Sequence, residues 1–87
     1  MNWTIKISKK AAKSAKKLDK PIREQINRKV REIASLDNPR SQGKALTGNY
    51  AGFWRYRVGD YRLICAIEDG ELIILVIDIN HRSRIYE

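Results

Sequence analysis

The sequence predicts an α+β domain of order β-α-α-β-β-β, a four-stranded, mainly antiparallel sheet with two N-terminal helices packed on one face. Three observations lead there. Ile22, Ile26, Val30 and Ile33 recur at helical spacing. Trp54, Tyr56 and Val58, then Tyr61, Leu63, Cys65 and Ile67, alternate with other residues on either side of Gly59-Asp60, the pattern of a hairpin. Residues 72 to 79, LIILVIDI, form an almost continuous apolar run, as expected of a strand buried on both faces inside a sheet. With 87 residues the chain can build one modest core, so residues 1–87 are expected to form a single domain.

In chain order, Trp3, Ile5 and Ile7 alternate with Asn2, Thr4 and Lys6, the period-2 signature of a short strand with one buried face. Ser8 suits a helix N-cap. The stretch KKAAKSAKK from Lys9 to Lys17, with Leu18 following, places Ala11, Ala12, Ala15 and Leu18 on a thin apolar stripe. Lys9, Lys10, Lys13, Lys16 and Lys17 surround it. This basic surface reads either as a solvated face or as a docking face for an RNA backbone. Anchorage in lipid is the weaker reading, because alanines bury too little area.

Pro21 stands where a second helix can start, and Asn38-Pro39 ends the apolar stripe that follows. Glu24 and Arg28 are spaced as an i,i+4 pair, which adds only a few tenths of a kcal/mol, so the stripe must do most of the holding. Residues 40 to 52, RSQGKALTGNYAG, read as a loop with Leu46 as a buried anchor. Gly59-Asp60 suits a two-residue turn with Gly first, which pairs Val58 with Tyr61, Arg57 with Arg62, Tyr56 with Leu63 and Arg55 with Ile64. Asp69-Gly70 makes the second turn, and the first strand is expected to join the sheet beside the last.

Side chains directly opposite one another on paired strands share a face. Arg55, Arg57 and Arg62 therefore converge on the face away from the helices, while Trp54, Tyr56, Val58, Tyr61 and Leu63 point toward them. Arginines on an open strand face also serve solubility and edge protection. Three together, with Asp60 in the turn as the nearest acid in sequence, ask for an anion, and the planar guanidinium fork suits phosphate oxygens.

The balance of 18 Lys+Arg against 10 Asp+Glu, a formal charge of +8, favours nucleic acid, an anionic membrane or an acidic protein partner. No apolar run approaches the roughly 20 residues that span a bilayer, and the first residues lack the apolar core of a signal peptide, so a cytoplasmic protein with no membrane contact is expected. Cys65 is the one cysteine and His81 the one histidine, which excludes an intrachain disulfide and argues against a metal centre. The tail NHRSRIYE brings His81, Arg82, Arg84 and Tyr86 to the exit of the apolar strand, within reach of the arginine face. His81 reads either as a turn residue or as a proton-transfer group, imidazole being the side chain that ordinarily titrates near neutrality. Tyr86 reads as a packing residue or as a second proton-transfer group among arginines.

The segments KALTG, WRYRVGDYRLI and INHRSRIY, with the buried strand between the last two, resemble the RelE toxins of the RelE/ParE toxin–antitoxin superfamily, and the likeness covers nearly the whole chain. What the resemblance implies is ribosome-dependent cleavage of messenger RNA in the A site, without metal or cofactor. The ribose 2′-OH would attack its own phosphate to leave a 2′,3′-cyclic end. Carried over, Arg55 and Arg57 hold the message and share in charge stabilisation, Arg62 and Arg82 neutralise the phosphorane, and Tyr86 stacks or orients the nucleotide. Some relatives carry lysines where this chain has Arg55 and Arg57. A guanidinium stays protonated and cannot serve as base, which leaves Tyr86, His81 or simple positioning to supply that role.

The resemblance also implies a RelB-like antitoxin with an acidic amphipathic segment, and operator DNA bound through that antitoxin. Two other readings remain open: a ParE-like inhibitor of DNA gyrase, and a basic RNA-binding protein that blocks translation without cutting.

Overall fold

The structure, a computed structural model, describes residues 3–81. Strand β1 (Thr4–Ile7) leads into helices α1 (Lys9–Lys16) and α2 (Lys20–Ser35), followed by strands β2 (Lys44–Ala45), β3 (Trp54–Val58), β4 (Tyr61–Glu68) and β5 (Ile73–His81). The sheet runs β1-β5-β4-β3-β2, with β1 parallel to β5 and every other pairing antiparallel. It thus has five strands where four were expected. The addition is β2, whose Lys44 and Ala45 pair with Arg55 and Trp54 inside the segment read as loop. A two-residue strand carries no periodicity by which a sequence could announce it.

Local chemistry sets the helix ends. The Ser8 hydroxyl accepts from the Ala11 N–H at 3.1 Å, the expected N-cap, and donates to the Ile77 carbonyl at 2.7 Å, which ties α1 to β5. Pro21 lies in the first turn of α2, where its missing N–H costs nothing. Ile26 and Ile33 are buried and Ile22 and Val30 half-buried, so the α2 stripe packs as predicted. Each such isoleucine, fully covered, contributes about 1.5–3 kcal/mol.

The α1 stripe is narrower than expected. Ala11 is buried and Ala15 and Leu18 half-buried, but Ala12 faces solvent. Ile7 is also exposed, at 54%, because it ends the edge strand, where neither helix covers it. Among the described residues Glu24 and Arg28 form no ion pair; the bridge made on α2 joins Lys29 to Glu32 at 3.0 Å.

The core lies between the helices and one sheet face, where Ala11, Ile26 and Ile33 meet Tyr56, Leu63, Cys65, Ile74 and Val76. Leu46 is 5% exposed and anchors its loop as expected. The buried Tyr56 hydroxyl donates to the Pro39 carbonyl at 2.6 Å, fixing the exit of α2 against the sheet. Tyr56→Phe leaves that carbonyl without its donor and is expected to cost about 1–2 kcal/mol in urea denaturation, with an unchanged m-value.

The β3–β4 hairpin has the predicted register throughout, and Gly59 takes the left-handed φ of +57° that a two-residue turn needs at its first position. At the β4–β5 connection the left-handed residue is Leu72, φ +54°, rather than Gly70. The strand then starts at Ile73 and runs to His81, a shift from the expected residues 72 to 79.

Burial pushes the Cys65 thiol up from its ordinary 9.0 to about 12. The folded state therefore holds the proton more tightly than the unfolded chain. The resulting stability is complete below pH 9 and is lost as pH rises from there toward 12. At neutral pH Cys65 is expected to resist alkylation until the protein unfolds, and a urea-dependent iodoacetamide reaction monitored by mass checks this.

Candidate nucleic-acid interface

The hairpin register turns Arg55, Arg57 and Arg62 to one face of the sheet, while Tyr56, Val58 and Leu63 are buried on the other. Two rows cross the open face. One runs Lys44, Arg55, Ile64, Asp78 over β2 to β5, and the next runs Arg57, Arg62, Asn80 over β3 to β5. Arg57 and Lys44 are exposed, and among the described residues neither engages an acid. Arg55 and Arg62 are half-buried. Placing Arg57 directly opposite Arg62 is unfavourable by some tenths of a kcal/mol in the absence of an anion.

The open face is not uniformly basic. Asp78, 5% exposed, stands in the first row opposite Ile64, itself 1% exposed. Asp78 Oδ1 accepts from the Ile79 N–H at 2.9 Å, and its Oδ2 lies 3.2 Å from Lys10 Nζ. This acid sits within a run read as apolar, and it engages Lys10, one of the five helix lysines put forward for RNA contact. Lys10 is largely exposed, so solvent screens the pair. Lys10→Ala is expected to cost no more than about 1 kcal/mol, and 1 M salt should erase the difference from wild type in thermal melts.

A shallow cleft of about 330 Å³ opens beside β2, lined by Lys29, Gly43, Lys44, Arg55, Tyr56 and Arg57. Its rim is held by a chain of contacts. The Trp54 indole N–H donates to the Gln42 carbonyl at 2.7 Å, and Lys29 Nζ donates to Gln42 Oε1 at 2.8 Å and to Glu32 Oε2 at 3.0 Å. Hydrogen bonds from Lys29 and Gln42 hold the Glu32 carboxyl below its usual range. Gly43 has φ +76°, and a Cβ there would meet the Arg55 carbonyl at 2.2 Å. Sequence reasoning missed Lys29, Lys44 and Asp78.

The expected helper groups are distributed differently. His81 ends β5 opposite Tyr61, and their rings meet edge-on at 5.1 Å. By the register His81 shares the face of Tyr61, the helix side, and not that of Arg62 and Asn80. There it lines a second cleft of about 420 Å³ with Lys17, Leu18, Tyr61 and Asn80. The structure thus brings Arg55, Arg57 and Arg62 together and sets His81 across the sheet from them. Lys9, Lys13, Lys16 and Lys17 are exposed along and just after α1. Arg82, Arg84 and Tyr86 lie outside the described residues. Among the described residues no cluster of His, Cys, Asp and Glu is suited to a metal ion, and no helix is long and apolar enough to cross a membrane.

The chain is a small α+β protein whose sheet carries helices on one face and guanidinium groups on the other. Residues 5–86 match the sequence profile of the family described as ParE toxin of type II toxin–antitoxin system, parDE, and the chain belongs to that family. Within the RelE/ParE superfamily it is a RelE-type toxin.

It is 28% identical over 85 residues to the mRNA interferase toxin RelE of Escherichia coli, covering 97% of this chain and 87% of that one. It is 41% identical over 51 residues to Toxin RelE of Mycobacterium tuberculosis, covering 59% of this chain and about half, 53%, of that relative. The fold superposes on RelE in the archaeal RelE–RelB complex of Pyrococcus horikoshii with a TM-score of 0.78 at 24% identity, covering 98% of this chain and all of that one. The toxin–antitoxin complex RelBE2 of M. tuberculosis gives 0.72 at 28% identity over 95% of this chain and 94% of that one.

Proposed function

We propose that this toxin arrests translation as a ribosome-dependent, metal-independent endoribonuclease acting on messenger RNA in the A site. The observation that carries the reading is the row Arg57–Arg62 beside Arg55, three guanidinium groups turned to one open face. Such a row fits a phosphodiester whose charge grows as the 2′-OH attacks, because each fork can donate two hydrogen bonds to equatorial oxygens. Arg62, with Arg82 from the tail, neutralises the phosphorane; Arg55 and Arg57 grip the message and hold the attacking and leaving oxygens in line. Tyr86 stacks on the nucleotide.

Guanidinium groups cannot take the 2′-OH proton and His81 lies on the helix side of the sheet, so either Tyr86 is the base or the arginines work by charge and positioning alone, with the ribosome ordering the substrate. The name mRNA interferase carried by the E. coli relative supports this reading. The toxin–antitoxin complex RelBE2, solved for a relative 28% identical, supports a RelB-like antitoxin as partner, and an acidic segment of that antitoxin would suit the basic surface.

Primer extension on ribosomes programmed with a defined message tests the proposal. Cuts inside the A-site codon that vanish when ribosomes are omitted are expected. An intact message under growth arrest would overturn it. The match to the ParE profile favours gyrase as the next target, and inhibition of supercoiling by the purified toxin is the assay.

A further inference from the structure

The cleft beside β2 shares Arg57 with the Arg57–Arg62 pair and adds Lys29 and Lys44 to it, and the reaction just described needs one phosphate only. We propose that Lys44, with Lys29 and Arg55, forms a second phosphate subsite, which grips the backbone of single-stranded RNA one linkage away from the phosphate that is cut. This rests on the nuclease reading and adds a specific requirement on the length and charge of the substrate.

Strand geometry supports two sites. Lys44 stands directly opposite Arg55, and Arg57 follows two residues along the same strand on the same face. With neighbouring strands roughly 4.8 Å apart and a rise of about 3.4 Å per residue, the backbone at Lys44 lies about 12 Å from that at Arg62. A row of that length has room for successive phosphates of one strand, one at each end.

Charge points the same way. Lys44 is exposed and engages no acid among the described residues, although its nearest strand neighbour is a second cation. Lys29 is placed rather than free to sweep: its side chain is 25% exposed, and two of its three N–H donors go to Gln42 and Glu32, leaving one. The cleft of about 330 Å³ between them has the glycine Gly43 in its lining, where the loop backbone passes so close to Arg55 that no side chain fits. A lysine pair and an arginine around a polar cleft suit phosphate oxygens without reading a base, so this subsite contributes affinity and register and leaves sequence preference to other contacts.

The test uses short 2′-O-methyl RNA, which cannot cyclise, with each linkage in turn replaced by an uncharged methylphosphonate. Binding to the full-length toxin is read by fluorescence anisotropy at low salt. Neutralising either of two adjacent linkages is expected to weaken wild-type binding about fivefold, while the remaining linkages matter less. In Lys44→Ala the response to one of the two linkages disappears and the response to the other stays, with the salt slope smaller by about 0.7. Lys44→Arg keeps both responses. Lys44 is exposed, so these variants should fold, and circular dichroism confirms that they do.

A Lys44→Ala protein that responds to both linkages like wild type, or a wild type that responds to a single linkage, overturns the second subsite and leaves the nuclease reading standing. A wild type indifferent to every linkage overturns the subsite and also the grip of the arginines on the RNA backbone.

Discussion

Arg62→Ala is expected to slow message cleavage on programmed ribosomes by about 10²–10³-fold in a single-turnover assay, the loss that follows removal of one charge-stabilising donor from a phosphoryl or acyl transfer site. The register places Arg62 opposite Arg57 and next to Asn80, in the open-face row nearest the Gly59-Asp60 turn. Arg62 is half-buried, which restricts its side chain and lowers the entropy cost of placing it on a substrate. Arg62→Lys keeps the charge and loses the fork, and an intermediate rate is expected. Both variants should keep their fold by circular dichroism. Cleavage at the wild-type rate in a folded Arg62→Ala protein would remove Arg62 from the chemistry and, with it, the main support for the arginine row as the reacting centre.

Gly43→Val is expected to produce the largest loss of stability from a single surface-loop change, about 3 kcal/mol or more, read as a drop in the urea midpoint. Two costs add. The backbone at Gly43 has φ +76°, a conformation that a β-branched residue resists, and the new Cβ would meet the Arg55 carbonyl at 2.2 Å and the Trp54 indole nitrogen at 2.7 Å. Relief requires β2 to leave β3, which also releases Lys44 from its place opposite Arg55. Stability and RNA binding should therefore fall together in Gly43→Val, whereas Lys44→Ala lowers binding alone. A Gly43→Val protein as stable as wild type would show that the close approach of the loop to β3 does not hold in solution.

How much of this was legible in the chain depends on the range of the interactions involved. The α2 stripe, the Ser8 cap and the whole register of the Gly59-Asp60 hairpin follow from neighbours a few residues apart, and the placement of Arg55, Arg57 and Arg62 on one face followed from that register alone. The position of β1 beside β5 also agreed with expectation, because a central apolar strand needs a neighbour on each side. Long-range packing decided the rest. Strand β2 exists because Gly43 lets the loop lie against β3 and the Trp54 indole holds Gln42, contacts spanning about a dozen residues with no local pattern. Asp78 looked like an interruption in an apolar run, yet Lys10, far away in sequence, reaches it across the edge of β5.

His81 shows the same limit most plainly. Its proximity in sequence to the arginine-rich tail suggested a shared face, but alternation along β5, with the register shift near Ile64 and Cys65, turns it toward Tyr61 and the helices. By itself, then, the amino-acid order determined the element types, the cationic character of the open face and the three arginines on it, since strand alternation and helical period are properties of nearest neighbours. Only the tertiary structure decided the fifth strand, the cleft between Lys29 and Lys44, the buried Asp78 and the side of the sheet on which His81 lies, because each depends on which distant segments pack together and in what register.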